Sequence, residues 1–203
     1  MAKLQSVCVY CGSSAGHKQE YSDAADRLGA LMAHHPVRLV YGGGSVGLMG
    51  VVARAVLREG GKVTGVIPRF LADREIMLKE AHDLITTDDM HQRKRMMFDR
   101  SDAFVALPGG IGTLEEVIEM LTWAQLGRHT KPVLLANLDG FWDPLLALLD
   151  HMADQDFVSR GFIDRILRVD DVEAILPALE HAARPLSETE LGQTVDQVPL
   201  SNL

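Results

Sequence analysis

A glycine-rich segment that ends in two carboxylates is the part of this sequence best suited to chemistry. It follows the apolar run 103–107 and reads Pro108-Gly109-Gly110-Ile111-Gly112-Thr113-Leu114-Glu115-Glu116. Glycines let backbone N–H groups approach an anion closely, and the first turn of a helix offers N–H groups that lack an acceptor within the helix. The segment therefore predicts a phosphate-binding turn, in which Glu116 reaches past the phosphate to a neutral part of the ligand such as a sugar. A tight strand-to-helix turn without a ligand is the alternative.

Two more glycine-bearing turns follow predicted strands. One reads Cys11-Gly12-Ser13-Ser14, and the other runs from Gly42 to Gly50. Because the carboxyl ends of parallel strands meet at one edge of a sheet, we expect all three turns to border one cleft. A nucleotide-like ligand is the favoured interpretation, with Ser13, Gly43 and Gly44 as further candidates for contacts to a phosphate.

Other nucleotide-binding classes fit the sequence less well. Gly42, Gly44 and Gly47 satisfy the dinucleotide spacing G-x-G-x-x-G, but this motif follows the second predicted strand instead of the first. The next strand ends at Pro68-Arg69, without the acidic residue that would hold an adenosine ribose. A nicotinamide cofactor is therefore disfavoured. A P-loop triphosphatase is disfavoured as well, because the chain has no G-x-x-x-x-G-K-[ST] run.

Charged residues that could complete a site lie near the same predicted edge. The helix predicted over 89–100 carries Arg93 and Lys94, which could donate to a phosphate or orient a glutamate; a solvated helix face is the alternative. Glu75 lies in the loop after the third strand, where an exposed loop acid is the competing interpretation. His91 is a candidate base, although a lone histidine beside methionines is more often a capping or packed residue.

These residue types favour carboxylate chemistry on a sugar phosphate. The sequence has no Ser-His-Asp or Cys-His pattern, and no His/Cys/Asp cluster with the spacing of a metal site. Cleavage of an N-glycosidic bond passes through an oxocarbenium-like state, which a carboxylate near the ribose can stabilise. Cys8 and Cys11 have the C-x-x-C spacing of a redox or metal pair, but we interpret them as two small residues in a tight turn.

Composition limits the class of protein. The chain has 203 residues, 47% of them hydrophobic, which suits a single α/β domain with a full core. Its formal net charge of −8 argues against nucleic acid as a partner, because a nucleic-acid surface normally needs a basic excess. The sequence has no signal peptide pattern and no apolar run long enough for a membrane helix, so we expect a cytoplasmic protein without a membrane partner.

Short apolar runs alternate with helical patterns along the chain. The predicted strands are 6–10, 37–41, 62–67, 84–86, 103–107, 132–136 and 166–169, and helices are predicted over 19–34, 47–59, 89–100, 141–153 and 171–182 and after the Gly112 turn. This alternation predicts a Rossmann-like open parallel sheet with helices on both faces. In the helix after Gly112, the apolar face should contain Val117, Ile118, Leu121 and Trp123. We expect one domain over 1–183 and a disordered tail over 184–203.

Three motifs of this chain occur together in a known family. They are Val40-Tyr41-Gly42-Gly43-Gly44-x-x-Gly47-Leu48-Met49-Gly50, Met90-His91-Gln92-Arg93-Lys94 and Pro108-Gly109-Gly110-x-Gly112-Thr113-x-x-Glu116. Through them the chain resembles the Lonely Guy (LOG) family of cytokinin riboside 5′-monophosphate phosphoribohydrolases. The resemblance implies a homodimer that hydrolyses N6-substituted adenosine monophosphates, or AMP itself, to the free base and ribose 5-phosphate without a cofactor.

The resemblance also implies roles for individual residues. Arg93 and Glu116 would be the catalytic pair, with Glu116 near the ribose and Arg93 positioning both it and the substrate. The implied substrate contacts are Glu75, Arg93, Lys94, Gly110, Ile111, Gly112, Thr113, Leu114, Glu115, Glu116 and Thr122. Members of this family have often been labelled lysine decarboxylases, a label that no lysine context in this sequence supports. A nucleotide- or cofactor-binding carrier protein of the same fold, without turnover, is the alternative function.

Overall fold

Seven β-strands and eight α-helices alternate along residues 4–72 and 77–183, the part of the chain that this computed structural model describes. The strands are β1 (Ser6–Tyr10), β2 (Arg38–Tyr41), β3 (Val63–Pro68), β4 (Asp83–Thr87), β5 (Ala103–Ala106), β6 (Val133–Ala136) and β7 (Leu167–Val169). The helices are α1 (Gln19–His34), α2 (Gly47–Arg58), α3 (Arg69–Ala72), α4 (Met90–Asp99), α5 (Ile111–Gln125), α6 (Asp143–Asp154), α7 (Arg160–Ile163) and α8 (Ile175–Ala182). The predicted contact of Glu75 and the predicted tail over 184–203 lie outside the described residues.

The seven strands form one parallel sheet in the order β4-β3-β2-β1-β5-β6-β7. β1 pairs with β2 on one side, where Cys8 lies opposite Val40, and with β5 on the other, where Tyr10 lies opposite Ala106. The strands from β1 to β4 are added in one direction, and those from β5 to β7 in the other. This reversal opens a crevice at the carboxyl ends of β1 and β5, where open α/β sheets bind ligands. The predicted Rossmann-like parallel sheet is confirmed.

Helices cover both faces of the sheet because the side chains of each strand point alternately to its two sides. In β1, Val7 and Val9 pack in the layer of α1, α2 and α8, whereas Cys8 and Tyr10 pack in the layer of α4, α5, α6 and α7. The inner strands β3, β5 and β6 are buried along their whole length, which explains their nearly continuous apolar sequences. Among the described helices, none has the length and apolar character needed to cross a membrane.

One predicted burial on α5 is wrong. Val117 and Leu121 are buried as predicted, but Ile118 is 37% exposed, and Trp123 is only partly buried. A helix turns by about 100° per residue, so the residue directly after Val117 points away from the sheet. The buried face of α5 consists of Thr113, Glu116, Val117, Met120 and Leu121. Ile118 therefore belongs to the outer surface of the protein.

Cys8 and Cys11 are structural residues and do not form a redox pair. Their side chains lie on opposite faces of the sheet, Cys8 in the layer of α5 and Cys11 in the layer of α2. Both thiols are free and buried, and burial raises the pKa of each far above its usual range. The interpretation against a redox pair is confirmed, but only Cys11 lies at the turn, because Cys8 belongs to β1.

We expect both thiols to resist alkylation in the folded protein, because the thiolate is the nucleophile and burial suppresses its formation. Iodoacetamide at neutral pH should label neither Cys8 nor Cys11 in the native protein, and it should label both in urea. Intact mass spectrometry counts the labels. Labelling of either cysteine in the native protein at the rate of a free thiol would contradict the packing of β1.

Candidate active site

The three glycine turns lie against one another at the carboxyl edge of the sheet, as the sequence predicts. The Gly12 N–H donates to the Pro108 carbonyl at 3.1 Å, which ties the turn after β1 to the turn after β5. The Met49 N–H donates to the Gly12 carbonyl at 3.3 Å, which ties the same turn to the one after β2. Gly47 has a φ of +58°, and a Cβ atom there would lie 2.3 Å from the Ser13 carbonyl carbon. Glycine is required at this position for the two turns to touch.

The first turn of α5 is suited to binding an anion. Its N-cap residue is Gly110, which has no side chain to cap the free N–H groups, and the turn carries no acidic residue. The space beside Gly110 and Gly112 is open, and Ile111 is 81% exposed. Thr113 is buried, with its hydroxyl packed over Gly109, where a Cβ atom would lie only 2.2 Å away. The N–H groups and the positive end of the helix dipole therefore face open space above a closely packed turn.

The other three candidate phosphate contacts differ in accessibility. Gly43 and Gly44 are buried, and the chain at Met77 and Leu78 pairs with their backbone. Ser13 is exposed at the rim of the crevice. Gly43 and Gly44 are thus covered by the chain at Met77 and Leu78. Of the three candidates, Ser13 is the one whose side chain is exposed to a ligand.

Backbone carbonyls near the ends of two strands hold Arg93 in place. Arg93 belongs to α4 and is 7% exposed, and its Nε donates to the Val66 carbonyl of β3 at 3.1 Å. Its Nη2 donates to the carbonyl of Gly42, just after β2, at 3.3 Å. A Cβ atom at Gly42 would lie 2.2 Å from that Nη2 atom. The first glycine of the motif therefore makes room for the guanidinium group.

Arg93 also forms an ion pair with Glu116 of α5. Its Nη1 lies 3.5 Å from Oε1 of Glu116, and the two side chains are 8% and 11% exposed. An isolated buried charge is costly, so each member of such a pair depends on the other. The guanidinium thereby connects the ends of β2 and β3 to a carboxylate in the second turn of α5.

Lys94 forms a second charged cluster between α4 and α5. Its ammonium donates to Oε1 of Glu115 at 2.6 Å and lies 3.0 Å from Oε1 of Glu119, and its side chain is 10% exposed. Burial lowers the pKa of Lys94, but the hydrogen bonds to Glu115 and Glu119 and their negative charges outweigh it, so its pKa is raised overall. Lys94 is held as an ammonium ion.

The remaining predicted residues lie further from this pair of clusters. Thr122 is exposed on the fourth turn of α5, and its hydroxyl donates to the Ile118 carbonyl at 2.7 Å. Leu114 is partly buried against the core of its layer. His91 is exposed in the first turn of α4, where Asp89 supplies the N-cap by accepting the Gln92 N–H.

Sequence reasoning missed two features of this site. The first is the pair of backbone carbonyls that accept hydrogen bonds from Arg93, which the sequence cannot indicate because every residue has a carbonyl. The second is Glu119, which the sequence could have indicated, since it follows Glu115 by four residues and so lies on the same side of α5.

The donors of the crevice match an anion better than a metal ion. Within residues 4–72 and 77–183, no group of three or more His, Cys, Asp and Glu side chains is arranged to hold a metal. The free N–H groups of α5 suit a phosphate ester, and the carboxylate of Glu116 suits sugar hydroxyls.

Comparison with known proteins finds one matching family model and several phosphoribohydrolases that are similar along most of the chain. Residues 49–179 match a family model described as "Possible lysine decarboxylase". The chain is 48% identical over 179 residues to the cytokinin riboside 5′-monophosphate phosphoribohydrolase LOG2 of Arabidopsis thaliana, an alignment that covers 88% of this chain and 84% of that protein. It is 50% identical over 158 residues to the phosphoribohydrolase LOG1 of the same plant, covering 78% of this chain and 74% of the relative.

A solved structure shares the fold at lower identity. The molybdenum cofactor binding protein from the phototrophic bacterium Rippkaea orientalis aligns with a TM-score of 0.68 and 20% identity. The alignment covers 91% of this chain and 100% of that one. At this identity the likeness concerns the fold alone.

We expect Gly42→Ala to displace Arg93, because the added Cβ would lie 2.2 Å from its Nη2 atom. Overpacking of this kind lowers the free energy of unfolding by about 1–3 kcal/mol. Most of that cost should disappear in an Arg93→Ala background, where the guanidinium is absent. Urea unfolding of the wild type, both single variants and the double variant measures the coupling. Equal costs of Gly42→Ala in both backgrounds would contradict the contact.

Proposed function

We propose that this chain, which belongs to the LOG family of cytokinin riboside 5′-monophosphate phosphoribohydrolases, hydrolyses the N-glycosidic bond of cytokinin riboside 5′-monophosphates, of AMP, or of both. The products are the free base and ribose 5-phosphate. The observation that carries the proposal is the buried Arg93–Glu116 pair beside a helix N-terminus whose N-cap residue is Gly110. An anion site next to a fixed carboxylate is what cleavage of a nucleotide at its sugar requires.

In this proposal the 5′-phosphate binds at the first turn of α5. The N–H groups of Ile111, Gly112 and Thr113 lie in that turn, and Ser13 lies at the rim beside it. Glu116 comes four residues after Gly112, about 6 Å further along the helix axis. A ribose attached to the bound phosphate would then lie beside the Glu116 carboxylate.

Cleavage builds positive charge on the ribose ring as the bond between C1′ and the base nitrogen breaks. The Glu116 carboxylate would stabilise this charge, hydrogen-bond to the ribose hydroxyls or accept a proton from the attacking water. The water oxygen bonds to C1′, and the departing base takes up a proton on the nitrogen that it releases. Arg93 pairs with the carboxylate and holds it in position, and the Val66 and Gly42 carbonyls keep Arg93 in position.

A lysine decarboxylase activity is not favoured by the same residues. A pyridoxal cofactor needs a lysine amine that can lose its proton and attack. Lys94 is the buried lysine at this edge, and its two carboxylate neighbours raise its pKa in spite of the opposing effect of burial. This lysine is held in the protonated form that cannot attack.

We further propose that the protein acts as a homodimer in the cytoplasm. Ile111 and Ile118 on α5 and Leu148 and Met152 on α6 are exposed apolar residues on two helices of the same layer. Exposed apolar surface of this kind often marks an interface, and a two-fold dimer buries the same surface of both copies. The two free cysteines suit a reducing compartment.

Purified wild-type protein should release adenine from AMP, or isopentenyladenine from its ribotide, in metal-free buffer. Glu116→Ala and Arg93→Ala should each lower kcat/KM by about 10²–10⁴-fold, the usual cost of losing a placed acid or an electrostatic partner. Arg100→Ala should keep the wild-type rate, since Arg100 is exposed at the end of the same helix as Arg93. Chromatography of the released base measures all four rates.

Two results would contradict the proposal. One is the absence of base release from either nucleotide by the wild type, and the other is a Glu116→Ala variant that matches the wild type. Tight binding of AMP without base release over hours would instead support the carrier alternative.

The dimer has a separate test. Ile118→Asp should shift the mass in sedimentation equilibrium from two chains to one, because it places a charge in the apolar surface of α5. Gln19→Asp, at the exposed start of α1 in the other layer, is the control and should remain dimeric. A wild-type protein that sediments as one chain would rule the dimer out.

A further inference from the structure

An open cleft of about 340 Å³ lies between α4 and α5. It is lined by His91, Gln92, Lys94, Arg95, Glu119 and Trp123. Lys94 is among the implied substrate contacts, but the proposed reaction assigns no role to Glu119 or Trp123. Both residues belong to α5, the helix whose first turn is the proposed phosphate site.

Glu119 has an acceptor atom that nothing in the described part of the chain uses. Its Oε1 lies 3.0 Å from the Lys94 ammonium. Its Oε2 is buried and has no hydrogen-bond partner among the described residues. A buried carboxylate oxygen without a donor is costly, and a ligand that brings an N–H group would remove that cost. Lys94 holds the carboxylate by its other oxygen, which leaves Oε2 as the oxygen that still lacks a donor.

The position of Glu119 along α5 fits the far end of a nucleotide. Glu119 lies three residues after Glu116 and three before Thr122, so it occupies the turn between two implied substrate contacts. It lies seven residues beyond Gly112, about 10 Å along the helix axis. An extended nucleoside monophosphate spans roughly two helical turns, about 11 Å, from its phosphorus to the exocyclic nitrogen of an adenine. With the phosphate at Gly112 and the ribose at Glu116, the base reaches the level of Glu119.

We propose that Glu119 selects the base, with its Oε2 accepting the N–H at position 6 of a 6-aminopurine in the cleft walled by Trp123. This inference rests on the proposed function and deepens it. An N6-substituted adenine keeps one N–H at that nitrogen and remains acceptable. A 6-oxopurine presents an oxygen acceptor there, and an ionised carboxylate has no proton to donate to it. The site therefore disfavours a 6-oxopurine, because Oε2 of Glu119 and the oxygen at position 6 would then be two acceptors in contact without a hydrogen between them.

The test compares AMP with inosine 5′-monophosphate, which differ at position 6, on the wild type, Glu119→Gln, Glu119→Asp and Glu115→Gln. The ratio of kcat/KM for AMP to that for inosine monophosphate should fall about tenfold or more in Glu119→Gln, because the amide can donate to the 6-oxo group. Glu119→Asp keeps a carboxylate and should keep the preference for AMP. Glu115→Gln removes the other carboxylate on Lys94 and should lower both rates in parallel with the ratio unchanged.

The outcomes separate the possible roles of Glu119. A parallel loss on both nucleotides in Glu119→Gln, as in Glu115→Gln, would show that Glu119 only holds Lys94 and would overturn the proposal. The ratio of the two dissociation constants, measured by calorimetry, reports the same selectivity when no base is released. Failure of the hydrolase activity and failure of the Glu119 assignment are therefore distinguishable. Thermal unfolding of each variant confirms that it is folded.

Discussion

The structure depends on one buried guanidinium group. Arg93 donates to the carbonyls of Val66 and Gly42 and pairs with Glu116, so a single side chain links two strand ends to the helix that bears the carboxylate. A charge that is 7% exposed must be compensated on every side, which fixes the relative positions of these elements. The requirement for glycine at position 42 follows directly, because any side chain there would occupy the guanidinium's place.

The topology of the sheet supplies the rest of the site. Strand order reverses between β1 and β5, and the turns after these strands are joined by the hydrogen bond from Gly12 to Pro108. The same reversal places the N-terminus of α5, with Gly110 as its N-cap residue, at the crevice. α4 packs beside α5 and contributes both Arg93 and Lys94 from adjacent positions. In the proposed function, this helix pair binds the phosphate at the first turn of α5, the sugar at Glu116 and the base in the cleft between the two helices.

Much of this arrangement could be predicted from the sequence, because glycines and apolar runs have local causes. The strands, the longer helices and the meeting of the glycine turns follow from periodicity and from the rule that parallel strands end at one edge. The exposure of Ile118 could not be predicted by counting apolar residues, since its outward direction depends on which side of α5 meets the sheet. The hydrogen bonds of Arg93 could not be predicted either, because only the tertiary structure brings the carbonyls of Val66 and Gly42 to its guanidinium group.

The most direct test of this account is the activity of Arg93→Lys. Lysine keeps the positive charge but cannot donate to two carbonyls and pair with a carboxylate in the fixed geometry of a guanidinium. If the position of Arg93 is what holds Glu116 ready, the kcat of Arg93→Lys should fall nearly as far as that of Arg93→Ala, by about 10²-fold or more. A lysine variant within about threefold of the wild-type kcat, far less than the 10² expected for a lost electrostatic partner, would show that charge alone suffices and would contradict the account.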